Sequence, residues 1–305
     1  MDLLSEEWRR NLRLLRELPH YGRKPARAYP GWDAFEYPDS SAVAAGRGDE
    51  HTPVAFCADV GPASLLAAYR RGLFPLAMPG SKRRIGTKLT YSRQVGCGAI
   101  AVVGPVLADR AAKRAAADPY WAEWWSPDPR PVLDVSAVHL GKNVRRRLRR
   151  LDLRTTANTA FKRIVEECRA ERPSVWLTDE LLSSLVALHE DGWAHSNEVW
   201  LGDELVGGSI GIGIGQVVSG DTVFGRMPEV ARIAVADMAA RLRAAGGQLI
   251  DAQVDSPLLR SIGASPVPRA DYLKVLGSSA ARVELDGTAL PAQRLLPAAD
   301  QEPAD

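Results

Sequence analysis

The sequence is short of cysteine, of excess charge and of long apolar runs, and each shortage closes off a class of protein. Its three cysteines, Cys57, Cys97 and Cys168, are odd in number and never spaced as CxxC. That leaves neither a disulfide framework nor a cysteine-built zinc site, and it points to a reducing cytoplasm. Histidines number five, and His189 and His195 lie near Glu198, but H-x5-H is not a zinc spacing, so no metal and no cofactor is expected. His195 reads as a structural histidine at a helix-to-strand corner. A net charge of +2 excludes a general polycation, so nucleic acid would have to be met by a local patch. The longest apolar run, 99–108, is interrupted by Gly104 and Pro105 and falls far below the ~20 residues of a bilayer-spanning helix. Asp2, Glu6 and Glu7 stand where a signal peptide would be basic and then apolar. No membrane partner is expected, and the chain is taken to act as a monomer.

What is present is globular in composition, 46% hydrophobic and 25% charged over 305 residues, a length that suits about two domains. Residues 5–18 predict a surface helix with Ser5 as N-cap and Pro19 as stop. In 62–72, Leu65, Leu66 and Tyr69 share a helical face that ends at Gly72. The apolar stretch 98–103 predicts a strand and the alanine-rich stretch 106–117 a helix. After a strand at 131–135, Val144, Leu148 and Leu151 recur at helical spacing on an otherwise arginine-rich segment. Asn158 is a candidate cap for a helix whose stripe is Phe161, Ile164, Val165 and Cys168, which makes Cys168 core rather than chemistry. Thr178 caps a third helix, 179–190, with Gly192 as its stop. NEVWL, ELVGGSIGIGI and VVSGDTVF, turning at Gly202-Asp203 and Gly215-Gln216, predict an antiparallel meander. A helix at 229–245 and a strand at 248–254 follow. Helices, meander, helix, strand, helix is the ground plan of an α+β fold of the N-acetyltransferase-like (GNAT) type, with a cleft where the sheet splays between central strands. Beyond Gly277 the Ala/Pro-rich chain reads as a flexible tail.

Seven blocks then carry a resemblance. PASLLAAYRRGLFP, WWSPDPR, HLGKNVRRRLRR, VWLTDEL, LHEDGWAHSNEVW, DELVGGSIGIGIGQVVSGD, and QLIDAQV before SIGASPVPRADYL together resemble bacterial leucyl/phenylalanyl-tRNA–protein transferases, in the family's order, over about 54–79 and 121–276. The resemblance implies a small N-terminal domain on an acetyltransferase-like domain, and transfer of an amino acid from the 3′ end of a charged tRNA to an amine. The domains are then expected as an N-terminal extension at 1–50, a small domain at 51–135 with an insertion at about 80–121, the aminoacyltransferase domain at 136–276, and the tail at 277–305.

The chemistry can be reasoned from the bond itself. An aminoacyl ester is already activated, so an amine can attack it to give an amide without ATP, coenzyme A or a metal. The protein has to grip phosphates, seat an apolar side chain, hold the amine against the carbonyl and move a proton. Lys142, Arg145, Arg146, Arg147, Arg149 and Arg150, with Arg154, face only Asp152 in their segment and are the candidate tRNA contacts, since guanidinium forks suit phosphate oxygens. The family's tRNA patch falls in this region. Asp251 and Gln253 match the family's Asp-x-Gln; at i, i+2 on a strand they share a face, with Asp251 the candidate proton acceptor and Gln253 the orienting amide. Asp221 stands where the family has glutamate and would hold a cationic amine. Phe224 lies in the same stretch. Leu76 replaces the family's tryptophan at the terminal adenosine, which removes a stacking platform. Trp176 matches a pocket tryptophan, while Trp124, Trp125 and Trp200 are read as architecture. Gly207 and Gly208, in the glycine-rich strand, would let a substrate approach; the GxGxG there fails as a phosphate loop because no helix follows.

The reading is an aminoacyl-tRNA-dependent aminoacyltransferase that donates Leu or Phe to an N-terminal Arg or Lys of a protein. A small-molecule amine as acceptor stays open. So do a coenzyme A-dependent N-acyltransferase, although its basic glycine-rich turn is not evident at 225–232, and an inactive tRNA-binding module.

Overall fold

The structure is a computed structural model that describes residues 29–38, 52–77, 81–104, 119–171 and 177–297. The helices expected at 5–18 and 106–117, and Trp176, lie outside the described residues. The described residues form two compact units, one drawn from the ranges 1–64 and 75–125, the other from 65–74 and 126–305. The strand expected at 131–135 is part of the second unit's sheet.

In the first unit, β1 (Ala55–Phe56) pairs in parallel with β3 (Ala101–Val102) and antiparallel with β4 (Ala122–Trp125). β2 (Phe74–Ala77) completes the sheet in the order β2-β4-β1-β3. Trp32 and Trp124 pack edge to face with centroids 4.8 Å apart, and Trp32 Nε1 donates to Ser64 Oγ at 2.6 Å. Trp124 is fully buried and donates to the carbonyl of Cys57, as an architectural tryptophan should. The strand expected at 98–103 contracts to Ala101–Val102. It is preceded by a helix that periodicity did not disclose, α2 (Ser81–Gly96); α1 (Pro62–Tyr69) is the helix expected from Leu65 and Tyr69.

The second unit is an α+β domain of the N-acetyltransferase-like type, built on an eight-stranded sheet in the order β11-β5-β10-β9-β8-β7-β6-β12. The meander is as expected: β7 (Ala194–Leu201), β8 (Glu204–Ile214) and β9 (Val217–Gly225) run antiparallel. Gly202 and Gly215 take positive φ of 58° and 59° in the two turns, a conformation that suits the twist of a tight hairpin. β10 (Leu249–Asp251) lies parallel to β9 and antiparallel to β5 (Arg130–Asp134). β6 (Leu153–Ala157) lies beside β7, and β11 (Ser265–Val267) forms the edge beyond β5.

Helices α3 (Lys142–Arg150), α4 (Phe161–Glu171), α5 (Asp179–Glu190) and α6 (Val230–Ala244) cover the sheet. Val144 and Leu148 of α3 are buried in one core cluster with Val199, Val206 and Ile233, leaving Lys142, Arg146, Arg149 and Arg150 exposed. Cys168 is core, as expected. Thr178 Oγ1 caps α5 by accepting from Leu181 N at 3.2 Å. Asn158 does not cap α4. It sits at φ 58° and turns back to β7, accepting from Ser196 N at 3.1 Å, while the buried Glu198 takes the Ala160 N–H. His195 is structural, and burial lowers its pKa to about 4, so the imidazole stays neutral.

The tail expected from Gly277 onward is corrected over 282–297. Val283 and Leu285 are buried in the core with Leu133 and Ile250, and Ala292 and Leu296 in the core with Leu148. β12 (Leu290–Pro291) pairs with β6. Arg294 donates to Asp237 at 2.5 Å, and Arg241 donates to the carbonyls of Asp286 and Thr288. The misreading has a physical source: four buried side chains without regular spacing produce no periodic signal. No helix among the described residues is long and apolar enough to cross a membrane.

Candidate active site

The site grows out of the one parallel pairing in the sheet. β9 and β10 stay in register from Val217↔Leu249 to Ser219↔Asp251, and pairing stops there. β9 continues along β8, but the ladder shifts: Gly211 faces Gly220 and Ile210 faces Thr222, so Asp221 has no residue opposite it. It is the extra residue of a β-bulge, a device that re-aims a side chain. On the other side the expected strand 248–254 is cut short at Asp251. The Asp251 carboxylate accepts the Gln253 N–H at 2.9 Å, and Gln253 takes a left-handed φ of 59°. A short acidic side chain that binds the backbone two residues on competes with ladder formation. Gln253 therefore does not share a strand face with Asp251, yet its Nε2 returns to Ser219 Oγ at 3.0 Å and to Asp221 Oδ1.

Asp251 is held by a partner from β5. Arg130 Nε and Nη2 clasp its two oxygens at 2.7 and 2.6 Å, with both side chains at most 1% exposed. Tyr272 OH at 3.0 Å and Ser219 Oγ at 3.2 Å also donate to it. With the Gln253 N–H this makes five donors around roughly four lone-pair sites. The guanidinium itself lies between aromatic rings, 5.0 Å from the centroid of Phe74 and 4.8 Å from that of Tyr272.

Asp221 is built differently. Its Oδ1 accepts from Tyr69 OH at 2.5 Å and from Gln253, while its Oδ2, shut off from solvent, has no hydrogen-bond partner among the described residues. Burial pushes its pKa up to about 7, against the pull of the Tyr69 and Gln253 hydrogen bonds and with a push from the Asp251 charge. Beside it a cavity of about 120 Å³ is lined by Ile210, Val235, Met238 and Leu259 and by Asp221 and Gln253. An apolar pocket with a carboxyl of raised pKa beside it suits a small apolar side chain next to an amine.

Other expected residues fall elsewhere. Phe224 is buried and does not line the cavity. Gly207 and Gly208, expected to face substrate, face the protein's own side chains. A Cβ on Gly207 would come within 2.3 Å of Val230 Cγ1, and one on Gly208 within 2.4 Å of Ile164 Cδ1. Neighbouring strand positions point to opposite faces, so α6 and α4 press on β8 from its two sides. Gly208→Ala is expected to cost roughly 1–3 kcal/mol through overpacking, read as a lower denaturation midpoint at unchanged m-value; an unchanged midpoint would contradict this packing. Leu76 sits half-buried on β2 of the first unit. Tyr69, Arg130, Ser219 and Tyr272 are not among the site residues that the sequence suggests, although all four stand inside the quoted blocks.

Comparison with known proteins agrees with this architecture. Residues 132–277 match the family described as leucyl/phenylalanyl-tRNA protein transferase. The chain is 40% identical to a leucyl/phenylalanyl-tRNA–protein transferase of Xanthomonas axonopodis pv. citri over 169 residues, 54% of this chain and 68% of the relative. It is 35% identical over 219 residues, 72% of this chain and 77% of the relative, to proteins of the same name from Shigella dysenteriae and Escherichia coli. With blocks, fold and relatives in agreement, the chain belongs to the leucyl/phenylalanyl-tRNA–protein transferase family and is an aminoacyltransferase.

Proposed function

We propose that the protein transfers Leu or Phe from the 3′ end of a charged tRNA to an N-terminal Arg or Lys of a protein, acting as a cytoplasmic monomer. The observation that carries this reading is the Asp221 carboxyl, with one oxygen unpartnered beside an apolar cavity. In this reading the cavity seats the apolar side chain of the donor. The Asp221 carboxyl, which lines that cavity, takes the acceptor ammonium, holds it at the ester carbonyl and accepts its proton. Amine nitrogen then bonds to the carbonyl carbon, the ester C–O bond breaks, and the ribose hydroxyl leaves with a proton.

Asp251 becomes a positioning residue rather than the proton acceptor its motif suggests, because its lone pairs are already engaged by Arg130, Ser219, Tyr272 and Gln253 N. Gln253 links it to Asp221. A coenzyme A-dependent reading is disfavoured by Glu229, which stands at the N-terminus of α6 where a pyrophosphate would need positive potential.

Mass analysis of an Arg-start peptide incubated with Leu-tRNA or Phe-tRNA is expected to show gain of one residue. No product with any charged tRNA would turn the reading toward a small-molecule amine. For the tRNA itself, the exposed face of α3 is the proposed grip. Arg146→Glu with Arg150→Glu is expected to weaken binding and to lower the slope of log affinity against log salt by about 1 per lost phosphate contact; an unchanged slope removes α3 from the interface.

A further inference from the structure

Three residues outside the site share a geometry that the function above does not use. Trp193, between α5 and β7, carries two guanidiniums over its ring: Arg70 Cζ is 4.7 Å from the ring centroid and Arg282 Cζ 5.2 Å. Arg282 is held there by its backbone, through a bridge to Ile214 and the Gly215 N–H to Ala281 O bond of 2.8 Å. Its stem crosses Gly192, where a Cβ would lie 3.6 Å from Arg282 Cδ. Arg70 directly follows Tyr69, whose hydroxyl rests on Asp221.

Both arginines are exposed and Trp193 is half-buried. The exposed acids Asp191 and Glu284 are each two residues from a member of the group, yet among the described residues neither arginine forms an ion pair. Two like charges gathered on one ring without an anion repel each other, and a phosphate relieves that repulsion while matching both forks. The indole carries both guanidinium planes, and a guanidinium plane is itself a surface on which a nucleobase stacks.

We infer that Arg70, Trp193 and Arg282 form a docking platform for the single-stranded 3′ end of the tRNA, distinct from the arginine-rich face of α3. This rests on the tRNA-dependent function proposed above. A peptide rich in carboxylates would match the charges but bring no ring to stack on the guanidinium planes, so nucleic acid is the better fit.

The test is equilibrium binding of full-length protein to tRNA carrying leucine through a non-hydrolysable amide, across a salt series, beside the same tRNA lacking its unpaired 3′ nucleotides. Arg70→Glu with Arg282→Glu should weaken binding of the intact tRNA at least tenfold and lower its salt slope by about 1–2. Trp193→Ala should cost about five- to tenfold with little change in slope, and Trp193→Phe should keep most of the affinity. All these variants should bind the shortened tRNA as wild type does, with melting temperatures near that of wild type. Wild-type affinity and slope in the double variant would overturn the platform, as would equal losses on both tRNAs. A raised peptide KM with unchanged tRNA binding would also overturn it and assign the patch to the acceptor. Failure of the wild-type protein to bind aminoacyl-tRNA at all would instead bring down the functional reading, and this inference with it.

Discussion

Replacing Asp251 with Asn is expected to destabilise the fold by about 3–5 kcal/mol, because it strips the counter-charge from a guanidinium that cannot reach water. Arg130 is 1% exposed and is bound to Asp251 through two hydrogen bonds, with rings of Phe74 and Tyr272 against it. From the motif alone the same substitution would be expected to stop turnover and leave folding intact. The partner on β5 changes that expectation. Arg130→Met should be similarly costly. The double variant Arg130→Met with Asp251→Leu should recover much of the lost stability, since an apolar pair of similar volume often replaces a buried ion pair at little cost. Turnover should remain absent in the double variant, because the Gln253 N–H and the Ser219 and Tyr272 hydroxyls lose the carboxylate that orders them. Chemical denaturation of the two single variants and the double variant measures the coupling. Additive destabilisation, or an Asp251→Asn protein as stable as wild type, would show that the pair does not lock the site.

Asp221→Asn is expected to act in the opposite way, lowering kcat/KM by roughly 10²–10⁴-fold while raising stability at alkaline pH. The folded carboxyl keeps its proton up to about pH 7, whereas an ordinary one loses it near 3.8. Between those values the folded state binds the extra proton, so stability falls as pH rises through the window, and above it the ionised side chain is a cost. Asparagine removes the ionisation. Its advantage in melting temperature should be absent below pH 4 and fully developed above pH 7. For catalysis the ionised form is the useful one, so wild-type kcat/KM should rise through about pH 7 and the variant should lose that limb. A wild-type pH limb surviving in Asp221→Asn would assign it to another group and remove Asp221 from proton transfer.

The sequence disclosed repeating patterns well and long-range pairings poorly. α3, α5, α6 and the meander follow from apolar spacing and turn glycines, which are local signals. Asp221, Asp251 and Gln253 each sit in a compact motif, and the structure brings all three together. Arg130 and Tyr69 were passed over because their partners lie 121 and 152 residues away in the chain, and nothing in one strand or helix says which distant carboxylate it will meet. The length of β10 was misjudged because Ala252 and Val254 continue an apolar alternation that the Asp251 side chain interrupts through the backbone. Gly207 and Gly208 show the limit of composition: a bare strand position looks alike whether a ligand or a neighbouring helix fills the space.

The return of residues 282–297 to the sheet has a consequence for how the family is delimited. The match to the family model stops at 277, whereas Val283, Leu285, Ala292 and Leu296 complete the hydrophobic cores and β12 pairs beside β6. A fragment cut to the region of recognisable kinship would expose one flank of β6 and leave the buried Asp237 without Arg294. The stretch that the family model matches is thus smaller than the unit that packs together.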